Sequence, residues 1–133
     1  MSPRLLWDTH VLVRWLFDSR RLSRQQLRTI EKAVQRGEPI ALSAISLLEI
    51  ADLVGLGKRT LRSTLTDFLA ELRGNPVLRL LPLSYEVAME VASIGVLKDP
   101  ADRVIVATAR HHRLQLKTSD ERILKCKLVT VIE

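Results

Sequence analysis

Short apolar runs alternate along the chain with stretches in which apolar residues recur every three or four positions. Residues 4–7 form such a run, ending on Asp8, and a helical period follows at once with Val11, Leu12, Trp15 and Leu16. This predicts a buried first strand with Asp8 at its C-terminal end, then a helix. Ser23 and Gln26 have capping-box spacing ahead of Leu27, Ile30 and Val34, and Gly37 closes that amphipathic helix. A second strand is expected at 39–42, and Ser43 or Ser46 opens a third helix carrying Leu47, Glu49, Ile50 and Val54. Beyond Gly55 and Gly57, an apolar stripe runs through Leu61, Leu65, Phe68, Leu69 and Leu72 as far as Gly74, Asn75 and Pro76. A third strand falls at 77–83 with Pro82 near its end, and Ser84 caps a helix that turns Val87, Val91 and Ile94 inward. Asp99 and Pro100 begin a helix running to about Arg113, because an Asp side chain caps free N–H groups and proline suits the first helical position. A strand at 114–117, a short helix begun by Thr118, Ser119 and Asp120, and a strand at 128–132 complete the pattern, which is that of an α/β domain with a mostly parallel sheet of four to five strands covered on both faces.

Length and composition narrow the class. The 133 residues make one domain, 1–133, and the 47% of hydrophobic residues exclude disorder without gathering into a membrane-spanning run. No signal-peptide-like segment opens the chain, and the lone Cys126 has no partner for a disulfide or a zinc site, so a cytoplasmic protein is expected. Lys and Arg number 21 against 15 Asp and Glu, a formal net charge of +6 that suits a polyanionic partner as well as plain solubility. Aromatic residues, at 4%, are too few for a module that stacks bases.

The candidate chemistry lies in four acids. Asp102 shares a helical stripe with Ile105, Val106 and Ala109, an inward position that is costly for a carboxylate unless it is paired or holds a cation. Asp8 and Asp120 follow strand ends, and Glu49 and Asp102 are expected in the first turns of helices leaving the same sheet edge, where α/β sheets bind ligands. Taken singly, Asp8, Asp99 and Asp120 read first as helix caps, and Ser46 to Glu49 is itself capping-box spacing. Together they would repel one another or recruit a hard cation, Mg²⁺ or Mn²⁺, since no His or Cys cluster accompanies them. A phospho-aspartyl enzyme wants a second acid where His10 stands, and a receiver domain wants an acidic pair that residues 4–7 do not supply. No glycine-rich phosphate loop or nucleophilic serine motif is present.

The segments LLWDTHVLVRWL, SAISLLEIADLVGLGK, LLPLSYEVA, KDPADRVIVATA and LKTSDERIL, in this order and spacing, resemble the PIN-domain ribonucleases, specifically the VapC-type toxins of type II toxin-antitoxin systems. The resemblance implies a three-layer α/β/α sandwich and an acidic site of Asp8, Glu49, Asp102 and Asp120. One or two Mg²⁺ or Mn²⁺ ions would be held mainly by Asp8 and Asp102, with Glu49 and Asp120 acting through a second ion or ordered waters. Thr9 and Thr118 would orient carboxylates through their hydroxyls, Asp99 would aim Asp102, and the role of Arg103 stays open. Leu48, where many relatives have an aromatic residue, and Lys98, where another polar residue is common, depart from the pattern without removing an acid. The implied activity is endoribonucleolytic cleavage of RNA held silent by a VapB-type antitoxin, with homodimer and toxin-antitoxin contacts drawing on the apolar residues of 53–72; the alternative is a catalytically silent PIN fold that binds RNA or protein.

Overall fold

The computed structural model describes residues 2–58 and 60–132. Five parallel strands lie in the order β3-β2-β1-β4-β5: β1 Leu5–Trp7, β2 Ile40–Ser43, β3 Leu78–Leu81, β4 Gln115–Lys117 and β5 Val131–Ile132. The sheet is therefore wholly parallel. The chain builds outward from β1 through β2 to β3, then crosses to the other side of β1 for β4 and β5. The strand order reverses at the β1/β4 junction, the place beyond whose strand ends parallel α/β sheets generally bind ligands.

The helices are α1 Thr9–Phe17, α2 Arg24–Arg36, α3 Ala44–Gly55, α4 Leu65–Gly74, α5 Tyr85–Val91, α6 Pro100–His112 and α7 Glu121–Cys126, with a 3-10 turn at Ser19–Arg21. Two cores flank the sheet, and the period-two alternation of the strands feeds them in turn. Leu5, Trp7, Ile40 and Leu42 pack against α1, α2, α4 and most of α3; Leu6, Ala41 and Leu116 pack against α5, α6 and α7. All three residues of β1 are buried, as expected of a central strand covered on both faces. Each fully buried aliphatic side chain contributes roughly 1.5–3 kcal/mol of burial free energy. Trp7 also meets Trp15 edge-to-face at 5.3 Å. Among the described residues, no helix is long and apolar enough to cross a membrane.

Several boundaries differ from the expectation. Ser43 caps α3, its hydroxyl accepting from the Ile45 N–H at 3.2 Å, so Ser46 lies inside the helix and is not part of a capping box. Glu49 accordingly sits in the second turn of α3, not the first. Thr64 caps α4, which leaves Leu61 before that helix, and Ile94 is buried in the turn after α5. The Ser23–Gln26 capping box of α2 forms in full and Gly37 takes the left-handed conformation at φ 65°, which explains the clean stop.

Candidate active site

Asp8 follows β1 and is held there twice. Its N–H donates to the Lys117 carbonyl at 3.0 Å, extending the β1/β4 ladder by one residue, and its Oδ1 caps α1 by accepting from the Val11 N–H at 2.9 Å. Its other oxygen accepts from the Thr118 hydroxyl, so one end of the carboxylate is fixed by the first turn of α1 and the other by the residue that follows β4. Burial pushes this carboxyl above its ordinary pKa, the Thr118 and Val11 hydrogen bonds opposing the shift.

Thr9, the first residue of α1, ties that helix to α3. Its hydroxyl donates to Glu49 Oε1 at 2.6 Å and lies 2.8 Å from the buried Ser46 Oγ. Asp99 caps α6 by accepting from the Ala101 N–H at 2.9 Å, with Pro100 at the first helical position, and this sets Asp102 in the first turn. Asp120 caps α7, its Oδ1 accepting from the Arg122 N–H at 2.9 Å, and its own N–H donates to Thr118 Oγ1 at 3.0 Å. Capping is thus a real role of Asp8, Asp99 and Asp120, but it does not exhaust them.

The four acids feel one another. Asp102 is raised to about 6, first by burial and then by the negative charges of Asp99, Asp120 and Glu49, with Arg122 opposing; Asp120 also raises Asp8. Arg122 lies across the cluster, its Nη2 at 3.4 Å from Asp102 and 3.0 Å from Asp120. The Arg122 hydrogen bond holds Asp120 below its ordinary pKa. Among the described residues, no three His, Cys, Asp or Glu side chains are oriented to enclose an ion. Each acid leans instead on a hydroxyl, a backbone N–H or the guanidinium. The donor set is nevertheless all oxygen, and two of its members already share the positive charge of Arg122, which is the donor chemistry that suits a hard divalent cation.

Three contributors escape a reading of the sequence: Ser46 beneath Thr9, Arg122 across the acids, and Gln26. The buried Gln26 accepts from the Ser23 N–H and donates through its amide to Ser119 Oγ at 3.0 Å, fastening α2 to the loop that carries Thr118 and Asp120. Only the Ser23–Gln26 capping spacing pointed to it. Arg103 is half-buried, and its Nε has no hydrogen-bond partner among the described residues. Leu48 stands 55% exposed, which makes its departure from an aromatic residue harmless to the core.

The PIN domain family model matches residues 5–127, from the first strand to just past α7. The chain belongs to the PIN-domain family. This PIN domain is 31% identical over 121 residues to Ribonuclease VapC22 of Mycobacterium tuberculosis, covering 90% of this chain and 88% of that protein. In fold it is similar to a chain of FitAcB from Neisseria gonorrhoeae, with a TM-score of 0.71 and 24% identity over 97% of this chain and 96% of that one. It is also similar to a chain of VapBC2 from Rickettsia felis, solved bound to a DNA fragment from their promoter, with a TM-score of 0.72 and 15% identity over 99% and 98% of the two chains.

Thr9 offers a direct test of how the second acid is held. Thr9→Val removes the hydroxyl that meets Glu49 and Ser46 while keeping the branched shape, and it is expected to lower any acid-dependent activity by about 10- to 100-fold. Thr9→Ser should restore most of the loss. Steady-state rates for the three proteins, at matched thermal stability, check this.

Proposed function

We propose that this PIN domain is a divalent-metal-dependent endoribonuclease of the VapC type, hydrolysing RNA phosphodiester bonds and neutralised by a VapB-type antitoxin. The observation that carries the reading is the meeting of Asp8, Glu49, Asp102 and Asp120 at the strand-order reversal, with one cation already drawn between two of them. Asp8 and Asp102 would be the main ligands of Mg²⁺ or Mn²⁺, with Glu49 and Asp120 reaching it through a second ion or ordered waters. When bound, the ion supplies charge neutralisation at the phosphate and activation of the attacking water. Thr118 keeps Asp8 aimed across the β1/β4 junction, Thr9 keeps Glu49 beside α1, and Asp99 sets the helical register of Asp102. Glu49 and Asp120 are the groups to take up the proton of that water.

The antitoxin reading draws on a second surface. An apolar cleft of about 650 Å³ opens between α3, α4 and the sheet edge, lined by Leu42, Leu47, Leu69, Leu72, Leu78 and Leu80. Leu56, just past the end of α3, is 70% exposed. Such area suits a partner segment or a second copy of the chain.

Purified protein given Mg²⁺ or Mn²⁺ and a mixed RNA pool is expected to generate discrete new RNA ends, whereas Asp8→Ala or added chelator leaves the pool intact. An intact pool with the unmodified protein freed of any partner would favour the RNA- or protein-binding module instead, and cleavage that persists in Asp8→Ala would show that the acidic site does not carry the activity.

A further inference from the structure

We propose that the outer face of α2 is a track for the sugar-phosphate backbone of a single RNA strand, leading away from the acidic centre. The inference rests on the ribonuclease reading above and adds to it a surface that the catalytic acids do not define. Arg24, Arg28, Lys32 and Arg36 recur at every fourth residue of α2, and all four are exposed. Each step advances about 6 Å along the axis, so the row spans about 18 Å. Glu31 is the one acid in the helix, and among the described residues none of the four cations forms an ion pair. Like charges at this spacing oppose helix formation, and surface helices ordinarily interleave the two signs. A polyanion laid along the row turns that repulsion into attraction.

The row is also anchored to the site. Gln26, in the same first turn as Arg24, is buried and donates to Ser119 Oγ at 3.0 Å, and Arg14 Nη1 stands 3.5 Å from the same oxygen. Ser119 lies between Thr118, which holds Asp8, and Asp120. Gln26 points inward and Arg24 outward from the same turn. A strand with one phosphate at the acids would therefore pass Arg14 beside Ser119, round the start of α2 and then follow the cations along the outer side of the helix. Guanidinium groups suit phosphate oxygens, and the scarcity of aromatic residues leaves electrostatics rather than base stacking to hold the strand. Recognition along α2 would accordingly be indifferent to base sequence.

The test measures binding without cleavage. In an Asp102→Asn background, fluorescently labelled single-stranded RNAs of about 5 and about 20 nucleotides are titrated at several salt concentrations, on the scale of an oligonucleotide-tracking groove. The Arg24→Gln, Arg28→Gln, Lys32→Gln, Arg36→Gln variant is compared with its parent and with a control of equal charge, Lys58→Gln, Arg62→Gln, Arg73→Gln, Arg113→Gln. The α2 variant is expected to bind the longer RNA at least about tenfold more weakly and to flatten its log K against log salt slope by about 3, since each lost single-strand phosphate contact removes about 0.7. Binding of the short RNA should change little, and the control should stay near the parent. Equal losses in the two glutamine sets, or an α2 variant that keeps the parental slope, would overturn the track alone. So would an α2 variant that loses an acidic protein partner while keeping its RNA affinity. A parent that binds neither RNA would overturn both the track and the reading beneath it.

Discussion

Asp102→Asn is expected to abolish RNA cleavage, by about 10³-fold or more, while making the metal-free protein more heat-stable at neutral pH. The two effects have one cause. The carboxyl is raised from 3.8 to about 6, chiefly by burial and then by Asp99, Asp120 and Glu49. Because the folded state holds this proton more tightly than the unfolded chain, the associated stability is fully present below pH 3.8 and is lost as pH rises through 6. Above that, the folded protein carries a negative charge that its surroundings disfavour. Asparagine keeps the shape and never ionises, and the pairing it forfeits with the solvent-exposed Arg122 is worth little. The melting temperature of the variant should therefore exceed that of the parent by a few degrees at pH 7.5, and the gap should close as pH falls toward 4. Saturating Mn²⁺ should reverse the order by stabilising the parent alone. A variant that melts lower than its parent at pH 7.5 would show that the charge of Asp102 is already satisfied within the protein.

Arg122→Ala is expected to tighten Mn²⁺ binding by a few-fold at pH 7.5, the modest effect of removing a solvent-exposed guanidinium from the acids. The guanidinium spans Asp102 and Asp120 at 3.4 and 3.0 Å, and an incoming ion must displace it or share the oxygens with it. Its removal has an opposing consequence at lower pH. Arg122 holds Asp120 below its ordinary pKa and also restrains the rise of Asp102, so both acids protonate more readily without it. Proton competition should therefore erode the gain as pH is lowered toward 5.5, a range set by Asp102 near 6. Calorimetric titration of the two proteins at pH 7.5 and 5.5 checks both arms; unchanged or weaker binding in the variant at pH 7.5 would mean that the arginine does not compete for the acids.

Asp8 and Asp102 were legible in the sequence because their positions are local facts. An apolar run stops at Asp8, and Asp99-Pro100 fixes where α6 begins and hence which way Asp102 points. Glu49 was placed at the correct sheet edge but one turn too early. Two serines three residues apart both satisfy the cap rule, and the choice of Ser43 depends on β2 ending there, with Ser46 left free to meet Thr9. The sheet order followed from the strand-helix alternation only as far as a parallel sheet covered on both faces. Arg122 and Gln26 were invisible as site residues. The first depends on the start of α6 coming beside the start of α7, and the second on a contact with Ser119 across 93 residues. No periodicity encodes either meeting.

The bond from Thr118 to Asp8 spans 110 residues, and β1 has β4 as its second neighbour. The strand bearing the first acid is therefore flanked on one side only until most of the chain has been synthesised, because β2 is available early and β4 late. Loop closure over such a distance delays this contact relative to the local ones. Asp120 arrives with the same segment. Until residues 115–120 leave the ribosome, the growing polypeptide has neither the Thr118 clamp on Asp8 nor Asp120 beside it.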